Sequence, residues 1–193
     1  MNIALIDYGA GNVQSVKYAL NRLGYEPILT KNHDEICSAD KVIFPGVGSA
    51  KAAMEQLQQS GLDKLIPTLK QPVLGICVGM QLMCKYSHEG DVKCLGIIDT
   101  EVKRFEVDLK IPHMGWNTVS NFNSVLFNNI ELQEQVYFVH SYYVPLNENT
   151  VAVTQYGIEF SAAVQKDNFY AVQFHTEKSG EVGSQILKQF LEL

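Results

Sequence analysis

Residues 72–86 read PVLGICVGMQLMCKY. The apolar Pro72 to Leu74 predicts a short buried strand, and Met80 to Tyr86 has a helix-like pattern. Between them, Cys77 sits in Gly75-Ile76-Cys77-Val78-Gly79. A strand, a nucleophile between glycines and a helix form the sequence signature of a nucleophile elbow. The sharp turn crowds any nearby Cβ, so small residues flank the reactive one. It also sets the sulfur at a strand end beside a helix start. Backbone N–H groups and the positive helix terminus there favour thiolate over thiol.

Working outward, the first half alternates strand and helix signals. Ile3 to Ile6 is a buried-type run ending at Asp7, and Gly9 and Gly11 mark a loop. Val13, Val16, Leu20 and Leu23 recur at helical spacing until Gly24. Tyr25 to Thr30 predicts a second strand and His33 to Cys37 a short polar helix. Lys41 to Phe44 predicts a third strand, cut by Pro45-Gly46. Ala50 to Gln58 reads as a helix broken at Gly61, and Leu62 to Leu69 as another turn or two. This alternation predicts right-handed crossovers and a parallel sheet with helices on both faces. Ligands on such sheets bind beyond the carboxyl ends of the strands. Three glycine-bearing loops fall there: Tyr8 to Asn12, Pro45 to Ser49 and Gly75 to Gly79.

From Gly96 onward the character changes to short β runs. These are Val102 to Phe105, Asn117 to Val119, Val136 to Val139, Val151 to Gln155, Ala162 to Gln165 and Tyr170 to Phe174. Asp167-Asn168 predicts a hairpin turn between the last two. Antiparallel strands are expected to extend the sheet, and Val182 to Leu191 to close the chain as an amphipathic helix.

The 193 residues, 46% of them hydrophobic, suit one compact domain with a substantial core. Net charge is −6 and the basic residues are scattered, so neither nucleic acid nor a membrane surface is an expected partner. The segment Met1 to Asp7 is too short and lacks the basic residues of a signal peptide, and no apolar run has membrane-span length. Cys37, Cys77, Cys84 and Cys94 form no C-x-x-C pair and match no zinc template. Reduced thiols in a cytoplasm, with no metal, are the expectation. Cys37, Cys84 and Cys94 read as small buried or half-buried hydrophobes.

Three constellations bear chemistry. Gly9-Ala10-Gly11-Asn12-Val13-Gln14 begins like a dinucleotide fingerprint, but Gln14 replaces the third glycine and no acidic residue ends the second strand. A tight turn or a partner-contact loop fits better. His175-Thr176-Glu177 follows an apolar strand, and residues two apart on an extended segment share a face. His175 would be the base for Cys77, and Glu177 would fix its tautomer. The other reading is a satisfied histidine and a solvated carboxylate. His33, His88, His113 and His140 lack an equally placed carboxylate; His88 beside Glu89 is the nearest rival. Pro45-Gly46-Val47-Gly48-Ser49 offers backbone N–H groups to an oxyanion, or is an ordinary turn. The Val78 N–H is a second donor candidate.

GICVGMQLM around Cys77, PGVGSA at the third strand and FHTEKS around His175 resemble class I, triad-type glutamine amidotransferases. MNIALIDYGAGNVQSV, PHMGWN at Pro112 to Asn117 and YFVHSYY at Tyr137 to Tyr143 are similar to the glutaminase subunits of imidazole glycerol phosphate synthase. The resemblance covers essentially the whole chain, as one amidotransferase domain over 1–193. It implies a flavodoxin-like α/β fold: a mostly parallel central sheet, flanking helices and an antiparallel extension.

It further implies a triad of Cys77, His175 and Glu177, with Gly46, Val47, Gly48 and Val78 around the oxyanion. Gln81 and Glu89 match positions that hold the glutamine head group. Ser141 and Tyr142 match a backbone segment that receives its carboxylate. No cofactor is implied. The family hands its ammonia to a (β/α)₈-barrel cyclase subunit in a heterodimer. Asn12, Trp116, Tyr137 and Lys178 fall in motifs placed towards that partner or the ammonia exit, although Trp116 also reads as core. The family usually has proline where this chain has Thr176, which puts the positioning of His175 in question. Alternatives are the same half-reaction feeding another synthase, such as bacterial sugar amidotransfer, a non-catalytic adaptor or thiol sensor, and a cysteine peptidase.

Overall fold

The computed structural model describes residues 1–9, 12–131 and 134–193. Gly11, half of the expected glycine loop, lies outside the described residues. The first half runs β1 (Ile3–Ile6), α1 (Val13–Arg22), β2 (Ile28–Thr30), α2 (His33–Ser38), β3 (Lys41–Gly46), α3 (Ala50–Ser60), α4 (Leu62–Leu65), β4 (Val73–Cys77) and α5 (Val78–Met83). The second half runs β5 (Cys84–Ser87), β6 (Val92–Lys93), β7 (Ile98–Arg104), β8 (His113–Thr118), β9 (Gln135–His140), β10 (Tyr142–Tyr143), β11 (Thr150–Tyr156), β12 (Ile158–Lys166), β13 (Phe169–Val172) and α6 (Gly180–Leu191).

Seven strands form the main sheet in the order β11-β12-β13-β4-β3-β1-β2. The five from β13 to β2 are parallel; β12 and β11 add an antiparallel edge. The middle strands β3 and β4 are buried along their whole length, which is why they read as continuous apolar runs. Cys77 ends β4, the central strand, where ligands of parallel sheets bind.

Several boundaries differ from the sequence expectation. Strand β3 continues through Pro45 and Gly46. Its pairing with β1 stops at Ile43, so the missing proline N–H faces no ladder partner. The helix after the elbow ends at Met83, and Cys84 to Tyr86 are strand. Cys84, Tyr86 and Ser87 pair with Ile98, Glu101 and Val102 of β7, and this tertiary pairing overrides the local helical pattern. Nor do all later strands extend the main sheet. A second sheet has the order β10-β7-β5-β6, and β8 pairs with β9 alone. Cys37 is exposed, against the expected burial; Cys84 is buried and Cys94 half-buried. Among the described residues no helix is long and apolar enough to cross a membrane, and no cluster of three or more His, Cys, Asp or Glu is placed to hold a metal.

Candidate active site

Cys77 is itself the strained residue of the elbow, with φ 54° and ψ −110°. A non-glycine residue at positive φ costs free energy that the surrounding packing must supply. Gly75 and Gly79 do not adopt positive φ; they provide room. A Cβ on Gly79 would overlap the Phe44 carbonyl oxygen. One on Gly46, the register partner of Cys77, would lie 2.5 Å from the Gly79 nitrogen. Glycines on both sides let β3 and the elbow touch backbone to backbone. Gly48 differs: its φ is +88° and a Cβ there would meet nothing within 4 Å. Its glycine serves conformation, not space.

Strand β13 lies beside β4, and the chain continues through Gln173 and Phe174 to His175. The extended segment expected to align His175 with Glu177 is instead one 3₁₀ turn over Thr176–Lys178. The turn still folds Glu177 back onto its neighbour: His175 Nδ1 stands 2.7 Å from Glu177 Oε1, and both side chains are almost inaccessible. The Asn12 amide donates to the same oxygen. His175 is also held by its backbone. Its N–H donates to the Tyr137 carbonyl (2.9 Å), and its carbonyl accepts from Ser179 Oγ (2.6 Å). Burial by itself would lower the His175 imidazole. Hydrogen bonding and charge from Cys77 and Glu177 outweigh it and raise the group to about 10.

A cavity of about 210 Å³ is lined by Cys77, Val78, Gln81, Glu89, Val47, Gly48, Ser141, Tyr142 and His175, with Val139 and His140 completing the wall. That is roughly seven liquid-water volumes, the scale of one small amino acid. Gly46 lies just behind it, opposite Cys77. A larger hollow, about 670 Å³, opens among Asp7, Lys31, His33 and Gln56, but contains neither nucleophile nor base.

The polar groups of the smaller cavity are already committed in specific directions. Gln81 donates one amide hydrogen to the Tyr142 carbonyl (2.9 Å) and the other to Gln173 Oε1 (3.0 Å). Its own amide oxygen is left facing outward from these bonds as an acceptor. Glu89 Oε2 accepts the Ala50 N–H at 2.8 Å at the start of α3. Burial raises the Glu89 carboxyl, and the Ala50 bond partly opposes this. The Ser141 carbonyl accepts from the Phe105 N–H at 3.1 Å. The Tyr142 carbonyl is also taken, so each carbonyl of this segment already accepts a hydrogen bond.

Two contributors escaped the sequence reading. Gln173 is fully buried and its Nε2 lies 3.7 Å from Cys77 Sγ. Its signal was present: two residues before His175 on an extended run, it shares that face. Tyr8 is buried and donates to the Pro45 carbonyl at 2.9 Å, which ties the first loop to the strand beside the oxyanion candidates. Burial, reinforced by Cys77, pushes the Tyr8 phenol upward.

The four residues expected towards a partner divide. Asn12 bonds Glu177 and so stands beside the His175–Glu177 pair. Trp116 is 54% exposed, which removes its core reading. Its ring is 6.0 Å from that of Tyr137, and Lys178 Nζ is 5.8 Å from the Tyr137 ring. His88, the rival base, pairs with Glu101 at 3.3 Å on the surface. Burial pushes the Cys94 thiol up to about 12 and Cys84 higher still.

The glutamine amidotransferase class-I family profile matches residues 4–193. "Imidazole glycerol phosphate synthase subunit HisH" of Bacteroides fragilis (strain YCH46) is 59% identical, with all of both chains covered. The protein of the same name from Pectobacterium atrosepticum is 48% identical, again over the full length of both. Among solved structures, one described as glutamine amidotransferase aligns with TM-score 0.77 at 17% identity, covering 98% of this chain and 97% of the other. PurLQS from Thermotoga maritima aligns with TM-score 0.73 at 17% identity, covering 99% and 97%. These two structural likenesses speak to the fold.

Proposed function

The chain belongs to the class I glutamine amidotransferase family, and from that premise we propose that it is the glutaminase subunit of imidazole glycerol phosphate synthase in histidine biosynthesis. Residues 1–193 act as one amidotransferase domain. The observation that carries this reading is the junction of Cys77 with a Glu177-bound His175 in a cavity of amino-acid size.

The proton rests on His175, stabilised by Glu177, and the Cys77 sulfur attacks the side-chain amide carbon of L-glutamine. The developing oxyanion is received by backbone N–H groups at Val78 and in the Gly46-Val47-Gly48 segment. His175 delivers its proton to the leaving nitrogen, so the C–N bond breaks and ammonia departs from a thioester. Water, deprotonated by His175, attacks the thioester; L-glutamate leaves and the sulfur is regenerated. The α-ammonium of glutamine is held by Glu89 and the Gln81 amide oxygen. Its α-carboxylate is received by N–H groups of the Ser141–Tyr142 segment, whose carbonyls are tied up and do not repel it.

Ammonia passes to a (β/α)₈-barrel cyclase subunit, which forms imidazole glycerol phosphate and AICAR. The exposed Trp116, with Tyr137 and Lys178, faces that partner. The full-length 59% identity supports this acceptor over others. The test is glutamate release by the chain alone, then with the cyclase subunit and its phosphorylated ligand. Stimulation by the cyclase is expected, with activity abolished in Cys77→Ser. Active chain without stimulation would reassign the acceptor; activity surviving in Cys77→Ser would end the thioester mechanism.

A further inference from the structure

Two buried histidines take no part in this chemistry. His113 and His140 are register partners across β8 and β9, and both are almost inaccessible. They stand among Phe105, Phe138, Tyr156 and Phe160. An aromatic cluster of this kind would be filled more cheaply by apolar side chains, since a buried polar group costs free energy unless it is hydrogen-bonded.

Both imidazoles are bonded, and in one direction only. Asn117 Oδ1 accepts the Thr118 N–H at 2.8 Å, which fixes its amide nitrogen as the donor side. That nitrogen donates to the Gln155 carbonyl (3.0 Å) and to His113 Nε2 (3.2 Å). At the other end, His140 Nδ1 faces the Tyr142 carbonyl at 2.7 Å, an atom that only accepts. His140 therefore carries its proton on Nδ1, and its Nε2 is an acceptor. His113 Nδ1, 2.9 Å away, must supply the hydrogen. Every tautomer is set by the two ends. A third proton on the pair would face a donor wherever it was placed. Burial lowers both groups, His113 to about 4 and His140 to about 3; for His140 the bond to the Tyr142 carbonyl opposes the shift, and His113 and His175 add to it.

The chain ends on the carbonyl that Gln81 also uses. Gln81 leads to Gln173, and Gln173 reaches Cys77 Sγ. We propose that His113 and His140 form a positioning relay: two neutral imidazoles that hold the Tyr142 carbonyl, and through it Gln81 and the Ser141–Tyr142 segment, in the arrangement that receives the amino-acid head of the substrate. This rests on the glutaminase reading above. The relay determines recognition of the head group, not the intrinsic reactivity of the sulfur. It also keeps positive charge off the wall shared with His175.

The test compares two reagents on Cys77 of the full chain, read by mass on the Cys77 peptide because Cys37 is also exposed. A glutamine-shaped diazoketone needs the head-group site; iodoacetamide does not. In His113→Phe, which keeps the ring stacking, labelling by the diazoketone is expected to slow about tenfold through loss of one buried hydrogen bond. Iodoacetamide labelling stays within about twofold on the same reasoning. His113→Asn places an N–H near the Nδ1 position and should restore most of the selectivity. An unchanged preference in His113→Phe, or two rates falling together, overturns the relay. A parent chain with no preference for the glutamine-shaped reagent takes down the glutaminase reading, and the relay with it. If His113→Phe does not fold, nitrogen-15 spectra of the parent decide. Neutral Nδ1–H imidazoles at both positions at pH 7 are expected; an Nε2–H or protonated ring at either position overturns the proposal.

Discussion

The molecule holds three buried imidazoles in two hydrogen-bonded pairs, His175 with Glu177 and His113 with His140, and the two pairs are tuned in opposite directions, although His175 and His140 line the same cavity. His175 bonds a carboxylate and faces a thiol, and it rises to about 10. His113 and His140 bond an amide, each other and a carbonyl, and they fall to about 4 and 3. Burial acts downward on all three imidazoles. The difference lies in the partners: a negative charge repays the desolvation of an imidazolium, whereas neutral acceptors and donors do not. One pair can therefore move protons, and the other can only hold a direction.

The largest effect should come from erasing that difference at the triad. Glu177→Gln keeps the shape and removes the charge, so His175 should drop from about 10 and behave more like the relay. Glutaminase turnover in the complete synthase is expected to fall roughly 10²- to 10⁴-fold, by analogy with triads that lose their carboxylate. Titration of His175 by NMR checks the cause. An unmoved His175 with full turnover would remove the distinction between the two pairs.

Stability against pH sharpens the comparison next. His175 is raised above its ordinary 6.5, so its contribution is complete below about pH 6.5 and is lost as pH climbs through about 10. The relay pair is lowered from 6.5, so its contribution is complete above about pH 6.5 and is lost as pH falls towards 4 and 3. Acid should weaken the relay while leaving His175 content. In urea unfolding, the parent should lose stability faster than His113→Asn between pH 6 and 4.5, by about 1.4 kcal/mol per pH unit for the one excluded proton. Parallel curves would mean that His113 takes up its proton in the folded state.

The smallest effect concerns the residue between the triad histidine and its carboxylate. Thr176 is buried, and its hydroxyl has no partner among the described residues. Thr176→Val should raise the unfolding free energy by about 1 kcal/mol, because an unpaired buried hydroxyl is costly. Turnover should hold, since the turn over Thr176–Lys178 is shaped by backbone bonds to Tyr137 and Ser179. A fall in turnover would mean that the Thr176 side chain, and not those bonds, positions His175.

Much of the first half was legible in advance because its signals are local. Short apolar runs, helical spacing from Val13 to Leu23 and the glycines around Cys77 act over a few residues, and the observed elements follow them, except that β2 spans only Ile28–Thr30 of the expected Tyr25 to Thr30. The second half was less legible. Short β runs declare that strands exist but not which sheet they join, and three sheets resulted where one was expected. Cys84 to Tyr86 shows the limit plainly. Its local pattern suits a helix, and only pairing with β7 makes it a strand.

The sequence by itself determined the elbow, the parallel alternation and the identity of Cys77, His175 and Glu177 as candidates. The elbow and the alternation rest on backbone sterics and periodicity within a short window; His175 and Glu177 were named on an extended alignment that the structure replaces with a 3₁₀ turn. Only the tertiary structure decided what those residues meet. Gln173 reaches Cys77 across 96 positions, and Asn12 reaches Glu177 across 165. His113 and His140 become a relay because β8 and β9 pair in one register. A shift of that register by one residue would turn one imidazole to the opposite face. A hydrogen bond depends on distance and direction in space, and those are set by the packing of the whole chain, not by the residues beside it.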